Sequence, residues 1–128
     1  MSWQAYVDDN LIKSGMVSAA GIYDLQGNPW AYSAGFAAQV AEVAAISGHL
    51  HADATGLAAT GLVIAGVKYM FVRGETGDYV IGKKGQEGVV VYKCNTCLLV
   101  AYHDDKIQPG ACMSTVGKLA DFLKESGI

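Results

Sequence analysis

Three aromatic side chains in the first quarter of the chain have the chemistry to bind a ligand. Trp3 and Tyr6 are three positions apart, and Trp30 follows a turn-forming Gly-Asn-Pro segment. A proline-rich peptide offers flat rings and unsatisfied carbonyl groups, which indole N–H and phenol O–H groups match as donors. The alternative is that these rings serve only to pack neighbouring helices and strands against each other. The residues alone leave both interpretations open.

Basic side chains are concentrated in the middle of the chain. The formal net charge is −3, yet five of the nine Lys and Arg residues fall between positions 68 and 93, and the first 67 residues contain only Lys13. Such an acidic chain lacks the broad basic footprint of a nucleic-acid-binding protein. We therefore expect any acidic partner to bind this segment. The alternative is a solvated basic edge that discourages sheet pairing.

The thiols and imidazoles do not point to catalysis. Cys94 and Cys97 form a CxxC pair, but the two-residue turn between them makes them opposed members of a hairpin, away from any helix start. An enzyme based on these thiols is the alternative. We expect His49, His51 and His103 to be solvated, and the segment GKKG lacks the rest of a phosphate-loop pattern. We predict a protein that is not an enzyme and has no metal or cofactor.

Helices with an apolar stripe are predicted at both ends of the chain. Ser2 caps the first helix, over residues 3–12, and Gly15 ends it. The last helix covers residues 112–125, and Phe122 lies off the flank of its apolar stripe. We expect these two helices to pack side by side on one face of a sheet, with the two ends of the chain next to each other.

The segment between the terminal helices predicts strands and short helices. A strand over 18–23 leads through a turn to a second strand that begins at Pro29, in an edge position. An alanine-rich helix over 37–46 and a brief helix or turn over 53–59 follow. The apolar face of the alanine-rich helix is predicted to consist of Val40, Val43 and Ala44. Five further strands are joined by turns short enough to force antiparallel neighbours, at residues 62–64, 67–73, 79–83, 89–93 and 98–102.

This order of elements predicts an α+β fold in one domain over residues 1–128. No run of 18 apolar residues is present, and the polar start of the chain is unlike a secretory signal. We therefore expect a cytosolic protein.

Five segments, in this order and along essentially the whole chain, resemble the profilin family: SWQAYVDDNL, WAYSAGF, GKKGQEGVVV, KIQPG and KLADFL. The resemblance implies a central antiparallel sheet of six to seven strands with the N- and C-terminal helices on one face and short helices on the other. It also implies a cytoplasmic, cytoskeletal monomer that regulates actin polymerisation. Its expected partners are monomeric actin, proline-rich proteins such as formins and, peripherally, phosphoinositide lipids, with no nucleic acid.

The resemblance assigns residues to two binding sites. The polyproline-binding residues are Trp3, Tyr6, Trp30, Phe122 and Ile128. Many profilins have tyrosine or histidine in place of Phe122 and tyrosine in place of Ile128, so two hydrogen-bonding groups are replaced here by apolar ones. The actin-binding residues are Lys68, Arg73, Lys83, Lys84, Lys93, Ile107, Gln108, Gly110, Ser114 and Lys118.

Two points about these lysines stay open at this level. Lys68 and Arg73 are five positions apart, so strict alternation places them on opposite faces of a strand. We expect both to serve one interface only if the strand twists or ends before Arg73. The alternative function is a phosphoinositide-binding signalling protein with weak or no actin binding, which would use the lysines but not the aromatic rings.

Overall fold

Ser2 caps the N-terminal helix, which begins at Trp3, as the sequence predicts. A computed structural model describes residues 2–36 and 38–128 of the chain. Ser2 Oγ accepts a hydrogen bond from the Ala5 N–H at 3.1 Å. The helix consists of α1 (Trp3–Ala5), a π-helical turn (Tyr6–Leu11) and a 3₁₀ turn (Ile12–Ser14), and we call residues 3–14 the N-terminal helix. Gly15 ends it at φ +77°, a conformation that glycine adopts without a Cβ clash.

Seven antiparallel strands form one sheet in the order β2-β1-β7-β6-β5-β4-β3. The predicted strands agree with the observed ones to within two residues at each end, and Pro29 begins an edge strand as expected. The strands are β1 (Ala19–Asp24), β2 (Pro29–Tyr32), β3 (Leu62–Ile64), β4 (Val67–Glu75), β5 (Tyr79–Lys84), β6 (Glu87–Lys93) and β7 (Cys97–His103).

Helices cover both faces of the sheet. The N-terminal helix and α4 (Pro109–Glu125) lie on one face, where Val7, Leu11 and Leu123 are fully buried. On the other face, α2 (Val40–Ala52) and α3 (Leu57–Thr60) form a second buried layer. This arrangement confirms the predicted α+β fold. Within the two described ranges, no helix is long and apolar enough to cross a membrane.

The alanine-rich helix differs from its prediction. It runs from Val40 to Ala52, whereas the predicted start at Ala37 lies outside the described residues. Glu42 Oε1 accepts a hydrogen bond from the Gln39 N–H at 2.8 Å and fixes the observed start. Val40 is 47% exposed, so its assignment to the apolar face was wrong. Alanine content indicates helical preference but not where the helix starts or which side faces the core.

A β-bulge in β4 decides which basic side chains share a face. Strand β4 pairs with β5 through Phe71 and again from Arg73 onward, which leaves Val72 as an extra residue. One extra residue reverses the alternation of side chains beyond it. Lys68 and Arg73 therefore lie on the same face although β4 continues past both. The expectation that only a twist or an early strand end would bring them together was wrong.

Candidate protein-binding surfaces

Four aromatic rings from three elements form a continuous row, which we call the aromatic row. The ring centroid of Trp30 in β2 lies 4.8 Å from that of Trp3. Trp3 lies 5.6 Å from Tyr6, and Tyr6 lies 6.2 Å from Phe122 in α4. All three pairs are tilted, in the range of spacings that aromatic pairs prefer. The structure therefore brings together four of the five residues predicted to bind polyproline.

The aromatic row is open to solvent on one side. Trp3, Tyr6 and Trp30 are only partly buried, and Phe122 is 50% exposed, which agrees with its predicted position off the core stripe of α4. Within residues 2–36 and 38–128, the two indole N–H groups and the Tyr6 hydroxyl have no hydrogen-bond partner. These donors are therefore available to the carbonyl groups of a ligand.

Gln4 ties the N-terminal helix to the strand that carries Trp30. Its Nε2 donates to the main-chain oxygen of Tyr32 at 3.0 Å and to Asp8 Oδ1 at 3.1 Å. Because Gln4 is next to Trp3 and Tyr32 is two residues after Trp30, this contact helps to fix the spacing of the two indoles. Sequence reasoning missed Gln4, since a contact between residues 28 positions apart leaves no periodic signal.

The turn between β6 and β7 holds the end of the chain near α4. Thr96 Oγ1 donates to the Ile128 main-chain oxygen at 2.9 Å, and Asn95 Nδ2 donates to the Lys124 carbonyl at 3.5 Å. Ile128 is partly buried and packs against the same hydrophobic layer as the aromatic row. The fifth residue predicted to bind polyproline is thus on the same sheet face as the other four.

A second candidate surface lies on the β4–β5 part of this sheet face. Lys83 is two positions from Ile81, which packs beneath the terminal helices, so both side chains lie on that face. Beside Lys83, Met70 is 74% exposed and Val72 is 51% exposed. These side chains line a shallow depression. We define the basic patch as Lys68, Met70, Val72 and Lys83.

Arg73 lies on this same face and reaches toward α4. Its guanidinium Nη2 lies 3.3 Å from Met113 Sδ. Arg73 thus connects the patch strands to the first half of α4, which carries Gly110 and Ser114, two further residues predicted to bind actin.

The structure does not gather all five basic residues on one face. Lys93 pairs with Leu98, which belongs to the layer beneath α2, so Lys93 lies on the opposite face from the basic patch. Lys84 follows Lys83 directly and lines a depression on that opposite face together with Tyr69, although it also borders the basic patch at the strand end. Alternation along the strands causes this separation.

Helix α4 connects the two surfaces. Gln108 occupies the N-cap position without a side-chain capping bond, and Pro109 occupies the first turn, where a missing N–H costs nothing. The exposed residues Gly110, Ser114 and Lys118 follow one another in steps of four and continue to Phe122, so they lie along one side of the helix. Gly110 and Phe122 are about 18 Å apart along the axis, at about 1.5 Å per residue. Ile107, just before the helix, is partly buried.

Comparison with known proteins identifies the family. The profilin family model matches residues 1–128. Profilin-2 of Dictyostelium discoideum is 47% identical over 123 residues, which cover 96% of each chain. Profilin-2 of Acanthamoeba castellanii is 42% identical, over 99% of each chain. This chain belongs to the profilin family. Members of the family are known as actin-binding regulators.

Solved profilin structures share the fold. Profilin IB of Acanthamoeba castellanii superposes with a TM-score of 0.94 at 42% identity, covering 99% of this chain and 100% of that one. Schizosaccharomyces pombe profilin gives a TM-score of 0.94 at 33% identity, with the same coverage. Mouse profilin IIa, solved in complex with a double repeat from the FH1 domain of mDia1, has a TM-score of 0.82 at 24% identity over the whole of both chains. This last likeness shows the fold alone.

The imidazoles and thiols of this profilin-family chain form no metal cluster among the residues that the structure describes. His103 is 2% exposed, so the expectation that it is solvated was wrong. Its ring packs against Gly88. A Cβ at position 88 would lie only 2.6 Å from the His103 Nε2 atom, so the ring fits there because residue 88 is glycine. All three cysteines are buried free thiols, and burial raises the pKa of Cys112 to about 12.

Proposed function

We propose that this chain is an actin-monomer-binding adaptor that also binds proline-rich segments of actin-assembly factors and thereby regulates actin polymerisation. The aromatic row is the observation that carries the proposal. Its rings offer flat apolar area, and its free N–H and O–H donors match the carbonyl groups that proline leaves unsatisfied. The row extends over about two turns of a polyproline II helix, at about 9 Å per turn. Mouse profilin IIa, which has the same fold, was solved in complex with an FH1 repeat, so the fold is compatible with this class of ligand.

The basic patch supports binding of monomeric actin. Exposed Met70 and Val72 provide an apolar centre, and Lys68 and Lys83 provide a charged rim. An apolar centre with a polar rim is the usual anatomy of a protein interface. The positive charge would speed encounter with an acidic partner surface in a salt-dependent way. Actin would contact this patch together with the exposed side of the first half of α4.

The separation of the two surfaces allows one molecule to act as an adaptor. Polyproline would bind at the Phe122 end of α4 and actin at the Gly110 end, about 18 Å away. Holding an actin monomer beside a proline-rich tract raises the local monomer concentration near a growing filament. We infer a cytoplasmic, cytoskeletal monomer whose lysines also bind phosphoinositide head groups peripherally.

The decisive experiment separates this function from that of a phosphoinositide-binding signalling protein. Trp3→Ala should lower the affinity for a decaproline peptide about thirtyfold or more, as loss of a central tryptophan anchor does. Binding to vesicles that contain phosphatidylinositol bisphosphate should stay unchanged, because the lysines remain.

Tyr32→Ala is the matched control. Tyr32 is an aromatic residue, 49% exposed, outside the aromatic row. Its substitution should leave decaproline binding intact. Retention of Trp3→Ala on a polyproline column would contradict the proposal. Vesicle binding by a wild-type chain that fails to bind actin would favour the signalling alternative.

A further inference from the structure

Cys94 and Cys97 face each other where the β6–β7 hairpin closes. The Cys94 N–H donates to the Cys97 carbonyl at 2.8 Å. Opposed residues of this kind have Cα atoms about 5.5 Å apart, and disulfides need about 4.4–6.8 Å. Both side chains belong to the buried layer beneath the terminal helices, so they lie on the same side of the hairpin. The Cα separation expected for the pair is therefore within the range that a disulfide spans.

The hairpin is linked to the part of α4 that carries Phe122. Cys94 Sγ donates to the Ala120 carbonyl at 3.8 Å. Between the two cysteines, Asn95 and Thr96 donate to main-chain oxygens near the end of the chain. A change in the geometry of the thiol pair would therefore be transmitted to Phe122, at the end of the aromatic row.

The two thiols differ in reactivity. The hydrogen bond with Cys97 lowers the pKa of the Cys94 thiol, and the charges of Lys124 and Lys93 contribute in the same direction. The same hydrogen bond, together with burial, raises the pKa of Cys97. Cys94 is thus the attacking thiol and Cys97 the resolving one. Cys112 is eight residues before Ala120, about 12 Å along α4, and is not a partner for Cys94.

We propose that Cys94 and Cys97 form a reversible disulfide whose formation weakens binding of proline-rich ligands at the aromatic row. The disulfide itself is independent of the proposed function, whereas its effect on affinity rests on it. The oxidant is hydrogen peroxide.

The chemistry proceeds in two balanced steps. Cys94 thiolate attacks one peroxide oxygen, the O–O bond breaks, and protonation of the leaving oxygen gives water and Cys94 sulfenic acid. Cys97 then attacks the sulfenic sulfur, the S–S bond forms, and the S–O bond breaks. The departing hydroxide takes the Cys97 proton and leaves as a second water. In sum, the two thiols have lost two protons and two electrons, and one hydrogen peroxide has become two waters.

Oxidation removes a hydrogen-bond donor from the core. A disulfide sulfur carries no hydrogen, so the Ala120 carbonyl loses the bond from Cys94. The S–S bond of about 2.05 Å also draws the two side chains closer than thiols in contact. This shift moves the Asn95-Thr96 turn and the main-chain oxygens that it holds. Because both sulfurs are buried, the peroxide reaches them only when the turn opens, so the reaction is slower than at an exposed thiol.

Peptide mapping tests the modification site directly. Trypsin cleaves after Lys93 and Lys106, so one peptide contains both cysteines of the pair, and Cys112 lies in the next peptide, residues 107–118. After treatment of the folded chain with hydrogen peroxide, the 94–106 peptide should lose the mass of two hydrogens and resist alkylation, and dithiothreitol should reverse both. Cys112→Ala should behave like wild type, and Cys94→Ala should show no loss of two hydrogens. Sulfinic acid at Cys94, or a dimer linked through Cys112, would overturn the proposal.

Calorimetry with decaproline tests the effect on binding. Oxidised wild-type protein should bind decaproline about fivefold more weakly than reduced protein. This is the loss of affinity expected when one hydrogen bond to the ligand is lost. Cys94→Ala should show no response to peroxide, which excludes damage at Trp or Met as the cause. A disulfide at 94–97 with unchanged affinity would overturn the regulatory part. Reduced protein that fails to bind decaproline would instead refute the proposed function and leave the peptide map as the test of the disulfide.

Discussion

The aromatic row and the basic patch occupy one face of the same sheet but are built differently. The row consists of uncharged rings from the N-terminal helix, β2 and α4, in contact at 4.8 to 6.2 Å. The patch consists of exposed side chains on two adjacent strands, placed by strand register and one bulge. A change in the row therefore disturbs several tertiary contacts, whereas a change in the patch alters mainly charge and exposed area.

The largest effect that we expect at the basic patch is from charge reversal at Lys83. Lys83→Glu should weaken binding of monomeric actin about tenfold at low salt, with a smaller difference at high salt because ions screen the patch. Lys84→Glu is the matched control, since Lys84 borders the patch but lies on the opposite face of β5. Its effect should be clearly smaller. Equal losses in co-sedimentation would contradict the division of the lysines between the two faces.

At the aromatic row, loss of the Gln4 hydrogen bond should lower decaproline affinity less than loss of a ring does, but more than loss of an exposed side chain outside the row. Gln4→Ala removes the hydrogen bond to the Tyr32 carbonyl and loosens the N-terminal helix against β2. We expect decaproline affinity to fall about threefold, the usual worth of one hydrogen bond, with actin affinity unchanged. Calorimetry checks both values. An unchanged decaproline affinity would show that ring packing alone sets the spacing of the indoles.

A smaller effect is expected from adding a donor to the row. Phe122→Tyr introduces a hydroxyl on a ring that is 50% exposed. Decaproline affinity should rise about twofold, because a solvated hydroxyl gains little by exchanging water for a ligand carbonyl. The same calorimetric titration measures this gain. A loss of affinity would mean that the ligand packs against an apolar Phe122 edge.

The smallest effect on binding should come from Asp24, in the turn that leads to Trp30. Asp24 Oδ1 accepts hydrogen bonds from the N–H groups of Asn28 and Gln26, both at 2.9 Å. The Asn28 bond is the main cause that lowers the pKa of Asp24. Because the pKa of Asp24 is lower in the folded chain than in the unfolded chain, its ionised carboxylate stabilises the fold at pH values above the unfolded pKa, about 3.9. This stabilisation is lost as the pH falls through the folded pKa.

Asp24→Asn should therefore reduce the acid dependence of the unfolding free energy below about pH 4, with decaproline affinity at neutral pH unchanged. Urea denaturation at several pH values measures this dependence. An acid dependence identical to that of wild type would show that Asp24 is not the group responsible.

Local patterns predicted the fold and the placement of Trp3 and Tyr6 because both depend on regular spacing, whereas the full set of polyproline-binding residues came from the resemblance to profilins. Trp3 and Tyr6 lie on the apolar stripe of a capped helix, and the short turns between strands left only antiparallel pairing. The bulge at Val72 escaped prediction because one extra residue in a strand has no signal in the sequence. The division of Lys83 from Lys84 follows from alternation, but which face each one occupies depends on register.

Tertiary hydrogen bonds were also beyond sequence reasoning. Glu42 accepts from the Ala65 and Gly66 N–H groups, 23 and 24 positions away, and so holds the β3–β4 turn against α2. The burial of His103 depends on the empty space beside Gly88, which becomes visible only when β6 and β7 are paired. In each case, the partner is set by the fold and not by neighbouring residues.

The central claim is that two independent surfaces on this chain bind two different partners. The most direct measurement is a calorimetric titration of decaproline into the chain, alone and in the presence of saturating monomeric actin. We predict the same decaproline affinity in both titrations, and a ternary complex in sedimentation. Loss of decaproline binding when actin is present would contradict the claim, because it would mean that the aromatic row and the basic patch serve a single overlapping site.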